Sequence, residues 1–275
     1  MEQTKLYEVI FKRKSVRKYD LALLDEKTLA EIAEFIDHVK PLFPEIKTKI
    51  SIVGQEEVKV LLPIKAPHYL LFYSEEKEGY LTNAGYMLQQ IDLFLSSNGL
   101  GSCYLGMAHP AKATKEINNG SGLEFVIAYA FGNATESVHR TDVSAFKRNA
   151  LSEIFNFTQG FELSQVANLD KILEAVRIAP SASNSQPWFF TMGNTQGNTQ
   201  GNNQGNVIIH AYCCKPNIIK ALLYEKVNKI DMGIVFCHVG VAAKHFGNQV
   251  EFIQDQTAKA NPPKGYYYNY SFKIK

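Results

Sequence analysis

Arg13, Lys14, Ser15 and Arg17 set three cations and a hydroxyl within five positions of the chain. A phosphate monoester carries about two negative charges, and arginine forks match its oxygens in pairs. The same stretch also reads as a solvated surface turn. A second polar group is APSASNSQPW, residues 179–188, where Ser181, Ser183, Asn184, Ser185 and Gln186 follow Pro180. Such a loop suits a polyol or a heteroaromatic edge, and equally a turn whose side chains cap local backbone. A third is NGLGSCYLGM, residues 98–107, whose glycines let backbone approach a flat ligand. It follows a helix, not a strand, which excludes a Rossmann fingerprint.

Other chemistries find little support. His38, His68, His139, His210, His238 and His245 are scattered, without a metal-ligand spacing. Cys103, Cys213, Cys214 and Cys237 form no C-x-x-C pair and read as reduced thiols of a cytoplasmic protein. Cys103 reads as a small packing residue. The net charge of +2 gives no global field toward nucleic acid or membrane. The N-terminus is charged too early for a signal peptide, and no apolar run reaches membrane-spanning length.

The elements that must position these groups come from periodicity. TKLYEVIF (4–11) predicts a short amphipathic helix, and Asp25 caps a second one. Strands are expected at ISIVG, HYLLFYS (68–74) and LEFVIAYAFG (123–132), with a helix at 84–98 closed by Gly99. A second set follows: a helix at 169–180, strands at 187–192 and 206–213, an apolar helix at 230–247 and a last strand at 265–274. The run 193–206 reads as a polar low-complexity hairpin loop. Gly85 to Gly99 and Gly233 to Gly247 bracket long apolar helices at one spacing, which suggests an internal duplication. Trp188 reads as core rather than a stacking platform, and His109 as structural or substrate-contacting.

RKSVRKY, APSASNSQPW and GLGSCYLG together resemble the nitroreductase family, which carries R-R-S-x-R-x-F/Y, A-P-S-x-x-N-x-Q-P-W and G-L-G-S-C-x-L-G motifs. VIAYAFGNATESVHR and KRNALSEIF are similar to its C-terminal stretches. One departure matters: the APS loop follows the other two motifs here, whereas ordinary members place it between them. DHVKPLFPEIK stands in its usual place, and KHFGNQVEF stands where a second GLG loop would lie. Ordinary members are homodimers whose flavins touch both subunits. The resemblance therefore implies an α+β, nitroreductase-like fold of two related halves, 1–155 and 156–275, forming an intramolecular pseudo-dimer. Each half would hold a central, mostly antiparallel sheet with helices.

The resemblance further implies one FMN per chain, with NADH or NADPH as co-substrate. Arg13, Lys14, Ser15 and Arg17 would hold the phosphate, with Arg148 the first C-terminal partner and Arg140 the second candidate. Ser181, Ala182, Ser183 and Asn184 would line the ribityl chain and ring edge. Leu105, Gly106 and Met107 would face the ring near N5. No side-chain nucleophile is needed, because flavin carries ping-pong hydride transfer to a small oxidised acceptor such as a nitroaromatic or quinone. The chain would be a monomer or weak homodimer, with no nucleic-acid or membrane partner. The alternatives are a flavin carrier or sensor without turnover, and a degenerate member kept as an interaction surface.

Overall fold

The computed structural model describes residues 2–118, 120–157, 167–192, 207–216 and 218–275, without the side chains of 2, 3, 116–118 and 218–223. The expected loop at 193–206 lies outside the described residues. The chain divides into two compact units, Phe11–Ala145 on the one hand and Met1–Ile10 with Phe146–Lys275 on the other. The division falls earlier than the sequence reading set it and gives the first helix to the second unit. That helix, α1 (Glu2–Ile10), buries Leu6, Val9 and Ile10. Nine residues cannot hold a helix in water alone. The Tyr7 ring stacks on His245 at 4.2 Å, inside its own unit.

In the first unit, α2 (Glu26–His38) starts where Asp25 Oδ1 accepts the Thr28 N–H at 2.9 Å. The chain then runs through β1 (Thr48–Gly54), β2 (Val58–Val60), β3 (His68–Ser74), α3 (Tyr80–Ser97), β4 (Gly101–Leu105), β5 (Ala108–Pro110), α4 (Lys112–Asn118) and β6 (Glu124–Gly132). The main sheet has the order β1-β3-β6-β4, antiparallel throughout. β3 is buried at every position, as a central strand covered on both faces must be. Helix α3 starts four residues before its expected first residue and ends at Ser97, capped by Asn98, with Gly99 left-handed at φ 76°. Thr82, Asn83, Gln89, Asp92 and Ser96 of α3 are buried along with its leucines. Each such polar group must find a partner or cost stability.

The second unit continues with α5 (Leu151–Ile154), β7 (Phe155–Asn156), α6 (Leu169–Arg177), β8 (Trp188–Met192), β9 (Val207–Cys214), α7 (Ile218–His245), β10 (Val250–Ile253), α8 (Gln256–Ala260) and β11 (Tyr266–Ile274). Its sheet has the order β10-β11-β9-β8-β7, with only β7 and β8 parallel. α7 begins twelve residues before the expected helix. Trp188 is buried, in keeping with a core role.

The two units share one topology. A helix precedes two strands, a long apolar helix follows, and two strands close the sheet. The order β1-β3-β6-β4 maps onto β8-β9-β11-β10 strand for strand, with α3 matched to α7 and α2 to α6.

Candidate functional site

The N-terminal turn of the first unit is built around a buried ion pair. Arg13 is 3% exposed, and its Nε lies 2.8 Å from Asp92 Oδ2. Ser102 Oγ donates to Asp92 Oδ1 at 2.6 Å, Gln89 Nε2 donates to Oδ2 at 3.0 Å, and the Tyr129 hydroxyl also donates to Oδ1. Burial alone would push the Arg13 guanidinium down; the Asp92 charge outweighs it and the net shift is upward. Burial, reinforced by Asp92, also holds the Tyr129 hydroxyl in its neutral form. Arg13 Nη2 reaches Ser15 Oγ at 3.4 Å. The sequence-predicted phosphate arginine thus sits in the core, ion-paired with a carboxylate, and touches the turn through Ser15.

The outward cations of this turn are others. Arg17 is exposed, and Lys14 is partly buried with Glu136 at 3.7 Å. Arg140, the second C-terminal candidate, is held here by its backbone N–H on the Lys12 carbonyl at 2.7 Å. Its Nη1 donates to the Ala145 carbonyl at 3.1 Å. Its guanidinium is pushed down, first by burial and then by the charges of Arg13 and Arg17. Like charges gathered on one turn repel, and an anion relieves them. Arg148 lies in the second unit.

The expected glycine-rich loop is strand β4. A Cβ on Gly101 would stand 2.8 Å from Val16, so that glycine admits the N-terminal segment rather than a ligand. The Val16 N–H donates to the Ser102 carbonyl at 2.8 Å, which fixes the cationic turn to β4. Cys103 is buried core, as expected. Of the ring-facing candidates, Leu105 is fully buried in the strand, while Gly106 and Met107 form the exposed turn to β5. The Leu61 N–H donates to the Met107 carbonyl at 3.0 Å. His109 is exposed on β5, edge-on to Phe125 with ring centroids 6.1 Å apart.

In the second unit the serine-rich loop bends back on itself. Ser183, Asn184 and Gln186 are left-handed at φ 53°, 58° and 48°, and so is Lys147 at 50°. Such backbone costs about 1–3 kcal/mol per residue and persists only where its surroundings enforce it. Here the Gln186 N–H donates to Ser181 Oγ at 2.9 Å, and the Asn149 N–H to Gln186 Oε1 at 2.8 Å. Asn184 Nδ2 donates to the Lys147 carbonyl at 3.0 Å. Arg148 donates to Asn184 Oδ1, to the Ala179 carbonyl at 3.0 Å and to the Phe146 carbonyl at 2.8 Å. Ser181, Asn184 and Gln186 therefore cap local backbone. Ser183 and Ser185 are exposed and take no part in these bonds.

Two carboxylates of this architecture escaped the sequence reading. Asp92 and Asp231 each sit inside a long apolar helix. A charge spaced among apolar residues was the only available signal. The Ala182 N–H donates to both Asp231 oxygens at 3.1 Å. Burial pushes the Asp231 carboxyl well up, opposed by the Ala182 N–H and by Arg148. Cys214, beside it, is brought down to about 7 by the Cys213 thiol.

Residues 5–243 match the family described as "Putative TM nitroreductase". The chain is similar over 98% of its length to a putative nitroreductase from Thermotoga maritima, covering 92% of that chain at 20% identity and a TM-score of 0.60. It is also similar over 53% of its length to a nitroreductase with bound FMN from Desulfitobacterium hafniense, at 16% identity, 97% coverage of that chain and a TM-score of 0.39. A further likeness, over 57%, is to the FMN-dependent nitroreductase NfnB from Mycobacterium smegmatis in complex with NADPH, at 15% identity, 99% coverage and 0.39. No curated protein matches the chain. With the α+β architecture and a family match over most of its length, the chain belongs to this nitroreductase family.

Proposed function

We propose that the chain is an FMN-dependent oxidoreductase that takes reducing equivalents from NADH or NADPH and passes them to a small oxidised acceptor such as a nitroaromatic or quinone. FMN, when bound, supplies the hydride chemistry, and the protein supplies binding and position. The observation that carries the reading is the gathering of Arg17, Arg140, Lys14 and Ser15 on one turn, beside a strand ending in the exposed Gly106–Met107 backbone. That donor set fits a phosphate dianion. Arg13 orients Ser15 from beneath. Backbone N–H groups at Gly106 and Met107 are suited to an electron-rich ring edge. In the second unit, Ser183 is the outward hydroxyl for a polyol, and Arg148 with Asn184 stiffens the loop behind it.

We read the two units as copies of one ancestral half, supported by their common strand order. Only the first carries the cationic motif, so one FMN per chain is expected. Among the described residues no helix is long and apolar enough to cross a membrane. The free cysteines fit a cytoplasmic protein, and two halves fused in one chain would make a monomer or weak homodimer. An absorption spectrum with flavin stoichiometry tests the reading. One FMN per chain, bleached by NADH or NADPH, is the expected result. Protein that refuses added FMN would overturn it, and bound FMN that neither nicotinamide reduces would leave a carrier.

A further inference from the structure

The buried polar residues of α3 and α7 that face the preceding loop occupy matching places. Asn83 stands as far before Gly85 and Gly99 as Asp231 stands before Gly233 and Gly247. Asn83 Oδ1 accepts the N–H groups of Leu42 and Phe43, at 2.7 and 3.1 Å, in the loop that follows α2. Asp231 accepts the Ala182 N–H in the loop that follows α6. Pro41 and Pro180 stand just before these donors. Each unit therefore pins the same loop to the same point of its central helix through a side-chain oxygen and backbone N–H groups.

The two struts hold different cargo. Asn83 holds Leu42 and Phe43, apolar residues, and the Phe43 side chain is buried. Asp231 holds a loop rich in hydroxyl and amide groups, with three left-handed residues just beyond the pinned amide. Asp231 is 3% exposed, and no described cation lies within ion-pair distance of it. A buried carboxyl without a paired cation is costly to keep for packing alone. Its one hydrogen-bond donor among the described residues is the loop amide. The far end of the loop is fixed independently, by the Cys214 N–H on the Pro187 carbonyl at 2.7 Å.

We propose that Asp231 is the positioning residue of the serine-rich loop, holding Ala182 so that Ser183 projects outward in its left-handed conformation, ready for the polar tail of the cofactor. The cofactor half of this inference rests on the reading of that loop as flavin-binding; the strut itself does not. Burial favours the neutral carboxyl, which asparagine mimics closely, and the first unit already uses asparagine at this place.

The test uses the full-length chain and the Asp231→Ala, Asp231→Asn and Asn83→Ala variants, with folding checked by thermal unfolding. Amide hydrogen exchange without added flavin is the first readout. Asp231→Ala is expected to speed exchange at Ala182 by about tenfold or more, the loss of one strong backbone bond, and Asp231→Asn to restore most of the protection. Asn83→Ala should speed exchange at Leu42 and Phe43 and leave Ala182 alone. FMN affinity, by quenching of flavin fluorescence, is the second readout. It should weaken by about tenfold in Asp231→Ala and by less than about twofold in Asp231→Asn. Wild-type exchange at Ala182 in Asp231→Ala would overturn the strut. Should Asp231→Ala fail to fold, Asp231→Asn decides: exchange at Ala182 raised by as much as the loss of the whole bond would overturn it. Faster exchange with unchanged FMN affinity would overturn the loop's part in flavin binding. Wild-type protein that binds no FMN would overturn the functional reading and leave the strut standing.

Discussion

Each unit buries one aspartate in its central helix, and the two are used in opposite ways. Asp92 is saturated: Arg13, Ser102, Gln89 and Tyr129 converge on it from three elements and the N-terminal turn. Among the described residues Asp231 receives a single backbone amide. A saturated network locks geometry and tolerates no loss, because each member removed strands the others. A carboxyl with one donor has little packing to defend, and its effect falls on what it holds. The first unit therefore sets its cationic turn on a rigid buried network, while in the second the buried carboxylate acts on the amide of a loop.

The largest test of this contrast is Asp92→Ala. It strands the buried Arg13 guanidinium and should cost about 3–5 kcal/mol, read from the urea midpoint of unfolding. A loss no greater than that of Asp231→Ala would break the comparison. Next comes the division of labour among the arginines. Arg17→Ala should weaken FMN binding by about tenfold or more, as loss of a charge-assisted contact does, and leave stability within about 0.5 kcal/mol. Arg13→Ala should instead lower the unfolding midpoint. If Arg17→Ala destabilised and Arg13→Ala did not, the assignment of inner and outer cations would be reversed.

Gly101→Ala probes the seam between the cationic turn and β4. Its added Cβ would meet Val16 at 2.8 Å, and such overpacking costs about 1–3 kcal/mol, again measurable by denaturant. An unchanged midpoint would show that the seam yields.

The smallest effect is one of pH. The buried His68 Nε2 accepts the Leu24 N–H at 3.0 Å, and burial pushes its pKa below the ordinary histidine value. The unfolded chain then takes up the proton first as pH falls. Stability is full above the ordinary pKa and declines below it, down through the folded one. His68→Gln, whose amide oxygen can accept the same bond, should flatten the curve of unfolding midpoint against pH between about 5 and 7.5. A curve as steep as that of the wild type would place the titration elsewhere.

Much of this was legible in one sequence. Alternation and apolar runs placed β3, β6, β8, β9 and β11 nearly to the residue, because a strand buried on one or both faces writes its period directly into the chain. Asp25 announced α2 through its cap. β4 and β10 were missed for a related reason. GSCYL reads as a glycine-rich loop, yet β6 and Val16 recruit it into a ladder. VEFI is short and half-exposed, and its partner β11 decides it. α7 starts twelve residues before its expected first residue.

What the sequence by itself determined was the inventory: three polar motifs, two sets of elements, and the kind of ligand those residue types suit. Tertiary structure alone decided allegiance. Arg13 went inward and Arg17 outward, Arg140 joined the cationic turn while Arg148 joined the serine-rich loop, and α1 went to the second unit. The physical reason is that residue type fixes which partner a charged group needs, whereas only folding brings a carboxylate from a distant helix, such as Asp92, to within 2.8 Å of it.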